Sequence, residues 1–176
     1  MKKPLIITGC GRSGTHWLGH VLGAVLGPYA AAWEPSDYGE ITDVVVDSKL
    51  RHYVQILNHD GHRIVHLVRD GRDVVRSLVQ WYSTNGCVRR SCLGDDQWLV
   101  TDVDKVSFEE CCLEWSASVD VMDSYETLRL EDLSTPEARD SSPEYSIPHW
   151  TEWTTDQTDL FWKTCGKQME KMGYGR

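Results

Sequence analysis

The chain has 176 residues, 40% of them hydrophobic, with eight tryptophans, which fits one folded domain over 1–176 and excludes a disordered polymer. Its net charge of −9 is uneven: residues 1–90 carry 11 Lys/Arg against 8 Asp/Glu, and residues 91–176 carry 7 against 19. An anion site is therefore expected in the first half, the acidic second half reads as a solvated surface, and nucleic acid is not an expected partner.

In chain order, Lys2 and Lys3 precede an apolar stretch too short for a signal-peptide core. Leu5–Thr8 is an apolar run before glycine and reads as a buried strand. A first helix is expected from Thr15 to Leu26, with Leu18, Val21, Leu22, Val25 and Leu26 on one face and Gly19, Gly23 and Gly27 as a stripe for close packing. Gly27-Pro28 ends it. Residues 17–33 are too interrupted for a membrane span, so a soluble, cytoplasmic protein is expected. A short candidate strand precedes Glu34. Val44–Val46 and Arg63–Val68 are further strands, a helix from Arg72 to Tyr82 buries Val74, Val75, Leu78, Val79 and Tyr82, and Thr127–Leu130 is another strand. The last helix begins at a capping box, Thr154-x-x-Gln157, and runs to about Met172. Strands alternating with helices predict an α/β fold: three layers, α/β/α, around a parallel sheet. Residues 83–104 and 134–155 read as long excursions of the kind that carry specificity. Six cysteines include Cys111-Cys112 and Cys87-x4-Cys92. None has zinc-ligand spacing, so reduced, mostly buried thiols are expected, with a Cys87–Cys92 bridge as the alternative.

The turn after the first strand carries the chemistry. A glycine-rich loop between strand and helix aims backbone N–H groups and a helix N-terminus at one spot, which suits phosphate or sulfate. Gly9-x4-Gly14 has the glycine spacing of a Walker A loop, but Thr15-His16 follows where Lys-Ser/Thr is needed. A nucleotide kinase or ATPase would lack its phosphate-reaching lysine. The loop instead carries its own cation in Arg12-Ser13-Gly14-Thr15. A second stretch, HLVRDGRDVVRSL, puts Arg69 at the end of a strand and Ser77 on the next helix, about 130° from the centre of its apolar arc. Pairing with Asp73 is the structural alternative for Arg69.

Together the two stretches resemble the sulfotransferases that use 3′-phosphoadenosine 5′-phosphosulfate (PAPS). Arg12-Ser13-Gly14-Thr15-His16-Trp17-Leu18 resembles the family's [K/R]-S-G-T-x-W-L loop for the 5′-phosphosulfate. Arg69-Asp70-Gly71-Arg72-Asp73-Val74-Val75-Arg76-Ser77 resembles its R-D-P-R-D-x-x-x-S motif for the 3′-phosphate. LRLEDL at 128–133 and CGKQMEKMGY near the C-terminus resemble later, less specific elements. Arg12 stands for the lysine of cytosolic members, Gly71 for proline, and Leu130 where an aromatic residue is frequent. The resemblance implies a P-loop-like fold and a PAPS site of Gly11, Arg12, Ser13, Gly14, Thr15, His16, Trp17, Arg69 and Ser77. It also implies 3′,5′-adenosine bisphosphate as product and no metal.

Sulfuryl transfer is in-line, so positioning, charge stabilisation and removal of the acceptor's proton should dominate. Arg12 is the expected stabilising cation. Glu34, past the first helix, is the favoured general base, as in families with an arginine in the loop, and His16 is the second candidate. Lys49, near the end of the Val44–Val46 strand, is a further candidate cation. The acceptor would be a hydroxyl or amine on a small molecule, carbohydrate or peptide, and a homo-oligomer is compatible with the short chain. A P-loop nucleotide kinase and a non-catalytic nucleotide- or anion-binding protein are the alternatives.

Overall fold

The computed structural model describes residues 3–27, 31–33, 43–85, 106–133 and 147–176. Glu34 and the Cys87/Cys92 pair lie outside these residues, as does most of both excursions. The chain divides into two compact units, residues 1–69 with 121–135 and residues 70–120 with 136–176.

The first unit holds a five-stranded parallel sheet of β1 (Leu5–Thr8), β2 (Ala31–Trp33), β3 (Val44–Val46), β4 (Ile64–Val68) and β5 (Glu126–Arg129), in the order β2-β3-β1-β4-β5. The inner strands are apolar except for Thr8 and His66, because both faces are covered, as parallel sheets require. On one face Ile7, Val46, Val65 and Leu67 pack with Leu18, Trp17 and Leu22 of helix α1 (Thr15–Leu26). On the other, Ile6, Val45 and Ile64 pack with Leu50, Val54 and Leu57, from a 3-10 helix (Ser48–Tyr53) and helix α2 (Val54–His59), and with Met122. The register explains this division, since Ile6 faces Ile64 while Ile7 faces both Val46 and Val65.

The expected burial of α1 is corrected at its far end. Leu18 and Gly19 are buried, but Val21 and Leu26 are exposed and Val25 is 75% exposed. Twelve helical residues run about 18 Å, whereas strands of three to five residues span only about 10–17 Å, so the last turns overhang. Gly27 terminates the helix at φ 93, its N–H donating to the Gly23 carbonyl, instead of extending a packing stripe.

The second unit is built from helices α3 (Gly71–Asn85), α4 (Phe108–Val121) and α5 (Thr155–Lys171). Helix α5 starts at the expected capping box, with Thr154 and Gln157 satisfying each other's backbone N–H groups. It buries Phe161, Cys165, Gln168 and Met169 on one stripe. Gly71 opens α3 where a Cβ would meet the Trp115 ring at 2.9 Å and Met169 sulfur at 3.0 Å, so close packing accounts for glycine at this position. Val74, Val75 and Leu78 of α3 are buried as expected, while Val79 and Tyr82 are half-buried, and the Tyr82 hydroxyl donates to Glu114 at 2.5 Å. Cys10, Cys111, Cys112 and Cys165 are buried and outside any disulfide. The Cys112 thiol is pushed far up, first by its hydrogen bond with Cys165 and then by burial, which keeps it protonated and inert.

Candidate functional site

Strand β1 occupies the centre of the sheet, with β3 on one side and β4 on the other. Its carboxyl end lies where the connection from β1 leaves toward β2 and the connection from β3 leaves the other way, a topological switch point of the kind at which α/β sheets bind ligands. The loop Gly9–Gly14 leaves β1 at this position.

Gly9 is fixed by packing. A Cβ there would lie 2.1 Å from the Leu67 carbonyl oxygen of β4, so only glycine lets the loop start against its neighbour. Gly14 is fixed by conformation and space, with φ 93 and a Cβ position 2.7 Å from Leu130. Between them Arg12 holds a left-handed φ of 70, which costs a non-glycine residue about 1–2 kcal/mol. Alternating left-handed residues fold successive N–H groups toward one side, as in an anion-binding nest. Gly14 is the N-cap of α1 and no side chain caps the helix, so the first-turn N–H groups have no side-chain acceptor. The Ser13 Oγ is buried, with the residue 1% exposed, and has no hydrogen-bond partner. An orphaned hydroxyl of this kind costs about 1–3 kcal/mol until something accepts from it or donates to it.

The other expected residues differ in burial and position, and Ser77 belongs to the second unit. Arg12 is exposed, Gly11 is half-exposed, and Thr15 is buried beneath the turn. Trp17 packs into the α1-side core. His16 is exposed and its Nε2 lies 2.6 Å from that of His20. Lys49 stands in the first turn of the 3-10 helix, beyond the β3 end; its backbone N–H donates to Asp47 Oδ1 and its residue is exposed. Arg69 is buried just past β4. Ser77 is also buried, at 3% exposure, which corrects the reading that it lies away from the packed side of α3. In the same motif Asp70 accepts from Arg72 through both carboxylate oxygens, at 2.6 Å to Nη2, and Arg72 lies 4.1 Å above the Trp150 ring.

Three residues around the loop escaped sequence reading. Thr8 donates from Oγ1 to the Asp47 carbonyl at 2.6 Å, tying the ends of β1 and β3 together. Arg51, buried in the 3-10 helix, donates to the carbonyls of Gly9 at 3.4 Å and Ser48 at 3.3 Å, placing a cation at the root of the loop. His66 of β4 pairs with Thr8 in register and is buried; burial pushes its imidazole down to about 4, so it stands neutral beside Gly9. The dipeptide His66-Leu67 gave no signal, because both its roles depend on which strand lies alongside.

Among the described residues no helix is long and apolar enough to cross a membrane. No family model, no curated protein and no solved structure matches the chain.

Proposed function

We propose that the chain is a PAPS-dependent sulfotransferase with a P-loop-like, three-layer fold, moving a sulfuryl group to a hydroxyl or amine acceptor. The observation that carries the reading is the loop itself. Within Arg12–Thr15 it combines two left-handed residues, an uncapped helix start and a buried hydroxyl in want of a partner. Those features favour a bound oxyanion group, and the cation in the loop is arginine, without the lysine that an ATP-type phosphate chain requires. The strand order and the Arg69…Ser77 motif support the same reading.

PAPS, when bound, supplies the sulfuryl group and a stable leaving bisphosphate. In this reading Arg12 and the first-turn N–H groups of α1 neutralise the phosphosulfate. Ser13 and Thr15 add hydroxyls, and Arg69 and Ser77 hold the 3′-phosphate. Glu34 takes the acceptor's proton, His16 being the second candidate, and Lys49 contributes positive charge from the neighbouring turn. Transfer requires no metal in this scheme.

Calorimetric titration of 3′,5′-adenosine bisphosphate against ATP, each with and without magnesium, tests the proposal. Tighter, magnesium-independent binding of the bisphosphate, together with PAPS-dependent labelling of a hydroxyl acceptor, is the expected result. Magnesium-dependent preference for ATP would establish a kinase instead. Binding without turnover on any acceptor class would leave an anion-binding protein.

A further inference from the structure

Helix α1 carries His16 and His20 one turn apart on its exposed side. Their Nε2 atoms are 2.6 Å apart, with ring centroids at 4.5 Å and planes tilted by 56°. At that separation the two nitrogens share a single hydrogen, one ring donating and the other accepting. The pair therefore has room for one Lewis acid between its nitrogens, a proton or a metal ion.

Metal–imidazole bonds of about 2.0–2.1 Å place two neighbouring ligand nitrogens roughly 2.9–3.4 Å apart. The observed pair would have to open by only about half an ångström to accept such an ion. We propose that His16 and His20 form a bidentate site for a divalent transition-metal ion of the Zn²⁺, Ni²⁺ or Cu²⁺ class, with water completing the coordination. Imidazole nitrogens suit these ions, while Mg²⁺ and Ca²⁺ prefer oxygen donors. No group of three His, Cys, Asp or Glu side chains is gathered for a metal among the described residues, so this is an open chelate and not a closed structural site.

The chelate shares His16 with the second candidate base of the proposed transfer, but its binding of an ion does not depend on what the loop holds. Its effect follows from position. Both nitrogens converge only while residues 16–20 are helical, so a bound ion stabilises the start of α1. It also occupies the His16 nitrogen that would otherwise accept a proton.

Zn²⁺ titration in competition with a chromophoric chelator tests the proposal on the full chain. The wild type should bind one ion that His16→Gln and His20→Gln each weaken by about tenfold or more, and that the double variant loses. His59→Gln, an exposed histidine on α2, should leave it unchanged. Metal-free melts confirm that the variants fold, which the exposure of both residues favours. Substoichiometric Cu²⁺ should broaden the His16 and His20 imidazole signals before those of other histidines. Wild-type affinity in the double variant would overturn the proposal, as would a thiolate charge-transfer band with Co²⁺ or equal displacement by Mg²⁺.

Discussion

Gly9 and Leu67 touch backbone to backbone: a Cβ on Gly9 would lie 2.1 Å from the Leu67 carbonyl oxygen. Neither atom can move without breaking the central pairing of β1 with β4. Gly9→Ala should therefore destabilise the chain by about 3 kcal/mol or more. Gly14→Ala should be comparably severe, since it adds left-handed strain to a clash with Leu130. Gly11→Ala, with nothing within 4 Å of its Cβ position, should change stability by less than about 1 kcal/mol. Denaturant midpoints of the three variants check the ranking, and equal losses would refute this account of the loop.

Arg12 pairs a strained backbone with the loop's own cation, so stability and function should separate there. Arg12→Ala is expected to abolish transfer and weaken nucleotide binding. Arg12→Gly should lose function equally, yet be about 1 kcal/mol more stable than Arg12→Ala, because glycine accepts φ 70. Turnover and melting temperature, measured side by side, decide this. Unchanged turnover in either variant would end the assignment of the loop.

For the proton acceptor, Glu34→Gln keeps size but not basicity. Nucleotide affinity should survive while the rate falls by roughly 10²-fold or more. Persistent activity in Glu34→Gln with loss in His16→Ala would transfer the role to His16.

Arg69 and Ser77 have no task in an enzyme for ATP, which lacks a 3′-phosphate. If they hold the 3′-phosphate as proposed, at about 1.5–3 kcal/mol for each charged contact, the chain should favour 3′,5′-adenosine bisphosphate over AMP by several kcal/mol. Arg69→Ala with Ser77→Ala should erase most of that preference and leave AMP affinity nearly unchanged. Both side chains are buried, so a melt must accompany the titration. Equal affinity of the folded wild type for both nucleotides would defeat the assignment.

His66 links stability to pH. Its imidazole is held down to about 4 by burial, against 6.5 in the unfolded chain, so the unfolded state binds the extra proton first. The contribution is fully present above pH 6.5 and is lost as pH falls from 6.5 toward 4, amounting to roughly 3 kcal/mol as an upper figure. His66→Gln should flatten that part of the stability–pH curve, and an unchanged slope would reject the assignment.

Much of this was legible in the sequence because it is local. The Leu5–Thr8 strand, the Thr15 start of α1 and the Thr154–Gln157 capping box all rest on residues within a few positions of one another. What escaped depends on partners far along the chain. The role of Gly9 needs the β1–β4 register, and Arg51 meets a carbonyl 42 residues away. Helical periodicity gave the angle of Ser77 but could not show that the side bearing it is covered. It likewise assigned Val25 to a buried arc, because sequence pattern carries no information on how far the sheet extends beneath the helix.

The placement of β1 in the middle of the sheet also bears on synthesis. The strand that launches the loop leaves the ribosome before its two flanks, Val44–Val46 and Ile64–Val68, which follow tens of residues later. Until both arrive, β1 is an apolar segment with two open edges, a template for mispairing. Native pairing over such separations is slow to close. A nascent chain halted before residue 64 would expose this edge, so the loop's geometry is completed only after the chain has passed β4.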